Sequence, residues 1–404
     1  MRTLGRRLAT VAVLVLGLAV PAAPAQAETA VACPASPAPI TAPQIDRAWQ
    51  IAASRLSDRA GPASLPFGAT GSSRYIRTNA YAWTSGFFPA SLWLTYQRTG
   101  DATWLSRARE YTDLVLPIAR WRGSHDLGFM VGLPAGLGRS LDPSPERQAA
   151  YTAAIRHAAR SLSSRWNANV GAIRSAYYGG RWGLIIDSAM NAPLLIEVGQ
   201  ARGDAVGQRL EERGLTHMRT LARTFVRADG STFHRQAFDP RTGELLGPVF
   251  GQGLSGSSTW ARGQAWAVNG FAQAYRLTGD AGMLDVARRT ADHWISSVPA
   301  GCIPAWDLDV TSPRAPLDSS AAAILADGLL RLAAAEPDVA RGVAYREYAL
   351  TTLGTLVSPP YVAERGRGVL LRQTYNVPAD RREGTYVWGD AYLLSALASA
   401  SSSS

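Results

Sequence analysis

The sequence predicts an all-α fold, an (α/α)6 toroid in which twelve helices close into a ring of six hairpins. Three observations predict it. Apolar residues recur at helical spacing along the chain, with little strand signal between the helical segments. The pattern Y-x-x-T-G-D-A-x-x-L-x-x-A-R occurs at Tyr96–Arg109 and again at Tyr275–Arg288, with a fainter copy at Gly203-Asp204-Ala205. Successive helices also alternate between two compositions. One kind is small and apolar, as in Ser320–Ala326; the other carries more charge, as in Ser106–Glu110. In the repeat, Gly ends one helix in the left-handed conformation and Asp caps the next, so each copy is the turn of a hairpin.

The elements follow in order. Residues 1–27 read as an export signal. Arg2, Arg6 and Arg7 form its charged start, Ala9–Val20 its apolar run, and Ala25-Gln26-Ala27 its cleavage site, so a secreted protein cut after Ala27 is expected. Residues 28–41, rich in Pro and Ala, predict an extended lead-in, and 42–404 a single (α/α)6 domain. Helices are predicted near 42–57, 87–98, 102–116, 128–138, 145–165, 189–201, 205–226, 262–277, 281–297, 319–334, 338–356 and 390–400. Short β-ribbons are predicted at 231–248 and 368–376. The small, apolar helices bury both faces and form an inner ring; the charged ones form the outer ring.

The formal charge is +10, and all 41 basic residues counted as Lys or Arg are Arg. Loss of the three signal arginines brings it to +7 (10 − 3). No dense basic run or nucleic-acid motif appears, so no nucleic-acid partner is expected. No later segment is long and apolar enough to span a bilayer, so no membrane partner is expected, and a monomer is. The positive balance favours encounter with an acidic substrate. Two cysteines, Cys33 and Cys302, predict one disulfide in an exported protein. The five His lack metal-ligand spacing and no CxxC is present, so no metal or organic cofactor is expected.

If the inner helices all run one way, their N-termini share one mouth. Those starts read Trp83–Phe88, His125–Phe129, Asp187–Asn191, Arg262–Trp266, Asp318–Ser320 and Trp388–Asp390. Rings beside carboxylates and amides suit a sugar: rings stack on its apolar faces and polar groups bind its hydroxyls. Helix N-termini also offer free N–H groups to an anion. Asp187 stands between an apolar run, Trp182–Ile186, and a helical pattern, where an Asp often serves only as a cap.

At these motifs the chain resembles the unsaturated glucuronyl hydrolases, glycoside hydrolase family 88. The likeness lies in W-T-S-G-F (83–87), H-D-x-G-F (125–129), D-x-x-M-N (187–191), F-V-R-x-D-G-S-T-x-H (225–234), W-x-R-G-Q-A-W (260–266), P-A-W-D (304–307), D-S-S-A-A-A (318–323) and W-G-D (388–390). The resemblance implies an (α/α)6 barrel and removal of the 4,5-unsaturated uronic acid that polysaccharide lyases leave on oligosaccharides, glycosaminoglycan fragments among them. It implies Asp187 as general acid/base and Asp126 as its partner. It implies substrate contacts from His125, His234, Gln252, Arg262 and Trp266, with Trp83 as a stacking platform. The chain departs from the pattern at Gly389-Asp390-Ala391-Tyr392, where relatives commonly have G-D-Y-Y, so one aromatic wall is missing. The stretch 361–376 also lacks the S-x-S-x-K triplet of relatives that prefer sulfated substrates.

The chemistry needs a carboxyl that is protonated near working pH. It protonates C4 of the enol ether, water adds at C5, and the resulting hemiketal opens and expels the aglycone. A second carboxylate nearby would hold the first one's pKa up. Blander readings exist for single residues: Asp126, Asp318 and Asp390 as helix caps, His125 and His234 as structural polar groups, Arg262 as partner of a loop carboxylate, Trp266 as core. The alternatives for the whole chain are an unsaturated rhamnogalacturonyl hydrolase acting on pectin fragments, an inverting glycosidase, and a non-catalytic oligosaccharide-binding protein.

Overall fold

The computed structural model describes residues 30–57, 64–70, 75–362 and 367–401. The predicted export signal lies outside the described residues. The helices are α1 Ala42–Ser57, α2 Phe87–Thr99, α3 Ala102–Val115, α4 Leu133–Leu141, α5 Pro145–Ser163, α6 Ser188–Asn191, α7 Pro193–Arg202, α8 Ala205–Phe225, α9 Ala261–Thr278, α10 Ala281–Ser297, α11 Ser319–Ala335, α12 Val339–Leu356 and α13 Val387–Ser401. All twelve predicted helices are present. Two are interrupted. The predicted 189–201 helix breaks at Ala192 into α6 and α7, because Pro193 has no N–H to continue the ladder. The predicted 128–138 helix begins as a π-helical turn, Gly128–Gly132, before α4.

The repeat does what its residues dictate. Gly100, Gly203 and Gly279 end α2, α7 and α9 with φ of 67°, 66° and 66°. Asp101, Asp204 and Asp280 then accept from backbone N–H groups of Thr103, Gly207 and Gly282 to cap α3, α8 and α10. Each turn therefore joins an inner helix to an outer one. The inner ring runs α2, α4, α6–α7, α9, α11, α13 and back to α2. Outer partners α3, α5, α8, α10, α12 and α1 complete the six hairpins. The inner/outer assignment is visible in burial. Ala261–Ala272 of α9 and Ser319–Leu330 of α11 are buried on every side, whereas α10 and α12 bury only a stripe. Asp327, buried within α11, accepts from Asn269 of α9 and Ser395 of α13 at 2.8 and 2.7 Å, so it ties three inner helices together.

Two four-stranded antiparallel sheets flank the N-terminal mouth. One runs Ala176–Tyr178, Arg181–Ile185, Arg235–Phe238, Leu245–Pro248; the other runs Gln373–Asn376, Arg381–Tyr386, Leu65–Ala69, Ile76–Thr78. The predicted 231–248 ribbon is the outer half of the first sheet. The 368–376 stretch is corrected: its strand starts at Gln373 and pairs onward with Arg381–Tyr386 rather than folding on itself. Among the described residues no helix is long and apolar enough to cross a membrane.

The lead-in is fastened along its length. Ile40 N–H donates to Leu350 of α12, Val31 and Ala32 pair with Pro304 and Ile303, and Cys33 is disulfide-bonded to Cys302. Residues Ala305–Val310 continue from there to the mouth, where Asp307 accepts from Leu254 N–H and Ser258 Oγ, each at 2.8 Å. The disulfide thus braces a loop that shapes the site. Closing a loop of this length has an upper bound of about 5 kcal/mol, and a tail already held by hydrogen bonds realises only part of it. Cys302→Ser is expected to lower stability by about 1–3 kcal/mol without unfolding the ring. Denaturant melts, with non-reducing mass mapping of the Cys33–Cys302 peptide, check this.

Candidate active site

Asp187 ends the strand-to-helix passage Arg181–Ile185 to α6. Its backbone is helical (φ −64°, ψ −15°) and its side chain makes no capping bond, so the simple cap reading does not describe it. The residue as a whole is partly exposed, but its Oδ1 is shut off from solvent and has no hydrogen-bond partner. Asp126 reaches the same point from the turn before the π-helical segment. Ser124 Oγ–H donates to Asp126 Oδ2 at 2.8 Å, and Asp126 N–H donates back to Ser124 Oγ at 3.0 Å. His125 Nε2 lies 3.4 Å from Asp126 Oδ1. One nitrogen or oxygen from each of His125, Asp126 and Asp187 lies within 4.8 Å of the others. This is the one group of three metal-competent side chains among the described residues. Two crowded carboxyls can also be accommodated by a proton left on one of them.

Asn191 joins the two acid-bearing segments. Its Oδ1 accepts from Phe129 N–H at 3.0 Å, and its Nδ2 lies 3.4 Å from the carbonyl of Asp187. The approach is close enough that a Cβ on Gly128 would sit 2.7 Å from Asn191 Oδ1 and 2.8 Å from its Cα. Gly128 and Asn191 are the G of H-D-x-G-F and the N of D-x-x-M-N, so the two motifs interlock.

The electrostatics assign the proton. Burial, then the charge of Asp126, hold the Asp187 carboxyl well above its ordinary value. Arg235, Arg262 and the Ser188 amide pull the other way and do not prevail. Asp187 therefore carries a proton in conditions where an exposed carboxyl is ionised. Burial pushes His234 well below the usual imidazole range, helped by the charges of Arg235 and Arg262. It pushes His125 down too, against the pull of Asp126. His234 Nδ1 accepts from Gln252 N–H at 2.9 Å, which leaves the proton of the neutral ring on Nε2. That Nε2 is buried and unpartnered, as are Thr84 Oγ1, Ser85 Oγ and His125 Nδ1. Buried polar atoms without partners are uncommon, and these four belong to the segments that start the inner helices or pair with the strand leading to Asp187.

The remaining predicted residues divide into two groups. Trp83 is half-buried at the rim, with Trp388 at 5.1 Å and Phe87 at 5.7 Å from its ring centre. Gln252 Oε1 accepts from Arg262 Nη2 at 3.2 Å. Arg262 itself is 1% exposed. It is ion-paired with Asp318 and donates to the carbonyls of Thr374 and Tyr375 at 2.6 and 2.7 Å. The expectation that it binds substrate directly meets a guanidinium already committed; of its donors only Nε lacks a partner. Trp266 is 1% exposed, wedged between Phe129 and Tyr392 at 5.1 Å each, in an aromatic layer that floors the site. Arg262 thus braces the wall, and Trp266 the floor. A cavity of about 500 Å³ lies beyond that floor, toward the C-terminal ends of the inner helices, lined in part by Leu94, Glu197, Arg276 and Arg331. It contains neither acid.

Sequence reasoning assigned no role to Ser124, Tyr178 or Arg235, and none to Asn191 beyond its place in D-x-x-M-N. Ser124 and Arg235 each adjoin a recognised motif. Arg235 lies opposite Ile185 in the sheet, two residues before Asp187, and its guanidinium stacks over Tyr178 at 4.6 Å from the ring centre.

Two outcomes follow from this geometry. A carboxyl whose folded pKa is raised binds more protons folded than unfolded, so its contribution to stability is lost as pH rises from its ordinary 3.8 through the raised value. Asp187→Asn lacks this dependence. The variant is expected to melt higher than wild type, with a gap that widens as pH rises above about 4. A gap that narrows with pH would contradict the assignment. Arg262→Ala strands Asp318, which is fully buried, and should cost about 3–5 kcal/mol by urea denaturation.

No protein-family model matches the chain. Individual proteins do. An unsaturated glucuronyl hydrolase of Bacillus sp. (strain GL1) is 34% identical over 352 residues, covering 82% of this chain and 90% of the relative. An unsaturated chondroitin disaccharide hydrolase of Streptococcus agalactiae serotype III is 30% identical over 344 residues, covering 82% of this chain and 84% of the relative. The crystal structure of an unsaturated glucuronyl hydrolase specific for heparin matches with a TM-score of 0.83 at 29% identity, over 90% of this chain and 98% of that one. The likeness runs through most of the sequence and through the whole ring, and the chain belongs to the unsaturated glucuronyl hydrolase family.

Proposed function

We propose that this hydrolase removes the 4,5-unsaturated uronic acid from the non-reducing end of lyase-generated oligosaccharides of the glycosaminoglycan type, by hydrating the vinyl ether. The observation that carries the reading is the close pair Asp126 and Asp187, in which the sealed Oδ1 of Asp187 and the neighbouring charge of Asp126 hold the Asp187 carboxyl above its ordinary value. Family membership supports the choice of substrate class.

In this mechanism Asp187 delivers its proton to C4, and positive charge spreads over C5 and the ring oxygen. Asp126 lies close enough to stabilise that charge. Asp187, now a carboxylate, takes a proton from the water that adds at C5, which regenerates the acid. The hemiketal opens to a C5 ketone, and the C1 hemiacetal left behind releases the aglycone alcohol. In this reading His234 donates from Nε2–H to a sugar oxygen, and Trp83 stacks on the ring. Export through residues 1–27, with cleavage after Ala27, and a monomeric state belong to the same proposal. The mass of the secreted protein checks both.

The test is a panel of lyase-generated disaccharides from chondroitin, hyaluronan and heparin, with unsaturated pectin fragments alongside, followed by loss of ultraviolet absorbance from the conjugated double bond. The glycosaminoglycan products should be consumed and their saturated counterparts left intact. Asp187→Asn should lower turnover by about 10²–10⁴-fold or more with the fold retained. Equal turnover of saturated glucuronides, or near wild-type turnover by Asp187→Asn, would sink the hydration mechanism.

A further inference from the structure

The substrate class proposed above carries a C6 carboxylate on C5, the atom next to the carbon that Asp187 protonates. A cation that binds this carboxylate must therefore stand close beside Asp187. Two arginines exert their charge on Asp187: Arg262 and Arg235. Arg262 is occupied by Asp318, two backbone carbonyls and Gln252.

Arg235 differs in each respect. It forms no ion pair among the described residues. Its Nε is buried without a partner, and Nη1 makes only a long contact, 3.5 Å, with the Phe250 carbonyl. The Tyr178 ring lies beneath the guanidinium at 4.6 Å. Gly251 lets the group in from the other side: a Cβ there would lie 2.9 Å from Arg235 Cζ and 2.4 Å from His234 Cε1. The strand register sets Arg235 across from Ile185, on the approach to Asp187. A half-buried guanidinium set over a tyrosine ring, with an unused Nε–H and no counter-ion, is built to receive a planar anion.

We propose that Arg235, positioned by Tyr178, grips the C6 carboxylate of the unsaturated uronate and is the specificity-determining cation of this site. The inference rests on the function proposed above. Binding then has an electrostatic consequence. The charged or titratable groups acting on or beside Asp187 are Asp126, His125, Arg235, Arg262 and Tyr178. Of these, Arg235 is the largest opposing influence on the proton of Asp187. A carboxylate paired with Arg235 cancels that influence, so the bound substrate helps keep its own acid protonated.

The experiment crosses enzyme variants with substrate esters. Wild type, Arg235→Lys and Arg235→Gln are assayed on one unsaturated disaccharide and on its C6 methyl ester, and folding is checked by circular dichroism. Arg235→Met, which keeps the aliphatic stem over Tyr178, replaces Arg235→Gln if the latter fails to fold. For the free acid, KM should rise about 10–100-fold in the Gln or Met variant, with Lys recovering part of the loss. The ester should be a poor substrate for wild type, and the charge-removing variant should barely distinguish acid from ester. The alkaline limb of kcat should lie at higher pH than that of kcat/KM in wild type, and the two should converge in the variant. A variant that still prefers the acid to the ester as strongly as wild type does would overturn the assignment. If wild type consumes no unsaturated disaccharide, the function itself falls, and this inference with it.

Discussion

Two carboxyl groups held within a few ångströms of each other, with one oxygen sealed from water, cannot both carry charge cheaply. Much of the mouth of this toroid is arranged around that constraint. Asn191 ties the segment bearing Asp126 to the segment bearing Asp187, and the bare Cα of Gly128 allows the contact. Ser124 occupies one oxygen of Asp126, which leaves the other near His125. Buried packing adds rigidity: Phe129–Val131 after Asp126, and Ser188, Ala189 and Asn191 after Asp187, are buried, which leaves the two segments little room to move apart.

The wall opposite is built on a second buried charge with a different solution. Arg262 and Asp318 pair inside the protein, and Nη1 and Nη2 of Arg262 also donate to the strand Gln373–Asn376. The strand is thereby fixed to α9 and α11. Trp388 donates from Nε1 to Ser320 Oγ at 3.1 Å and stacks on Tyr386 at 4.5 Å, which extends the same wall to α13. A buried ion pair of this kind is expensive to break and contributes little net stability over an apolar replacement. Its value lies in holding one geometry, with Gln252 and His234 hung from it at the mouth.

The parts legible in the sequence were those with local causes. The Gly–Asp turns at 100–101, 203–204 and 279–280 need only a left-handed residue and a cap, both visible in the letters. The alternation of inner and outer helices follows from composition. The two sheets were mostly missed because their pairing is long-range: Arg181–Ile185 meets Arg235–Phe238 only after α6, α7 and α8 have intervened. The position of Arg235 beside Asp187 depends on that register, so no local pattern marks it. The direct roles expected of Arg262 and Trp266 came from resemblance. An arginine that braces a wall and one that binds substrate look the same in a motif, and only the partners of the guanidinium separate them.

Asp187 and Asp318 show how far identical local sequence can diverge. Each is an Asp followed by Ser at the start of an inner helix. Asp318 accepts from Ser320 N–H and Oγ, opens the seventeen-residue α11 and faces Arg262. The cap and the guanidinium between them take up both of its oxygens. Asp187 caps nothing, opens a helix of four residues that Pro193 interrupts, and faces another carboxyl. Burial and the charge of Asp126 therefore act on Asp187 with neither a cap nor an ion pair to offset them, and the same Asp-Ser letters give a helix cap at one position and a raised carboxyl at the other.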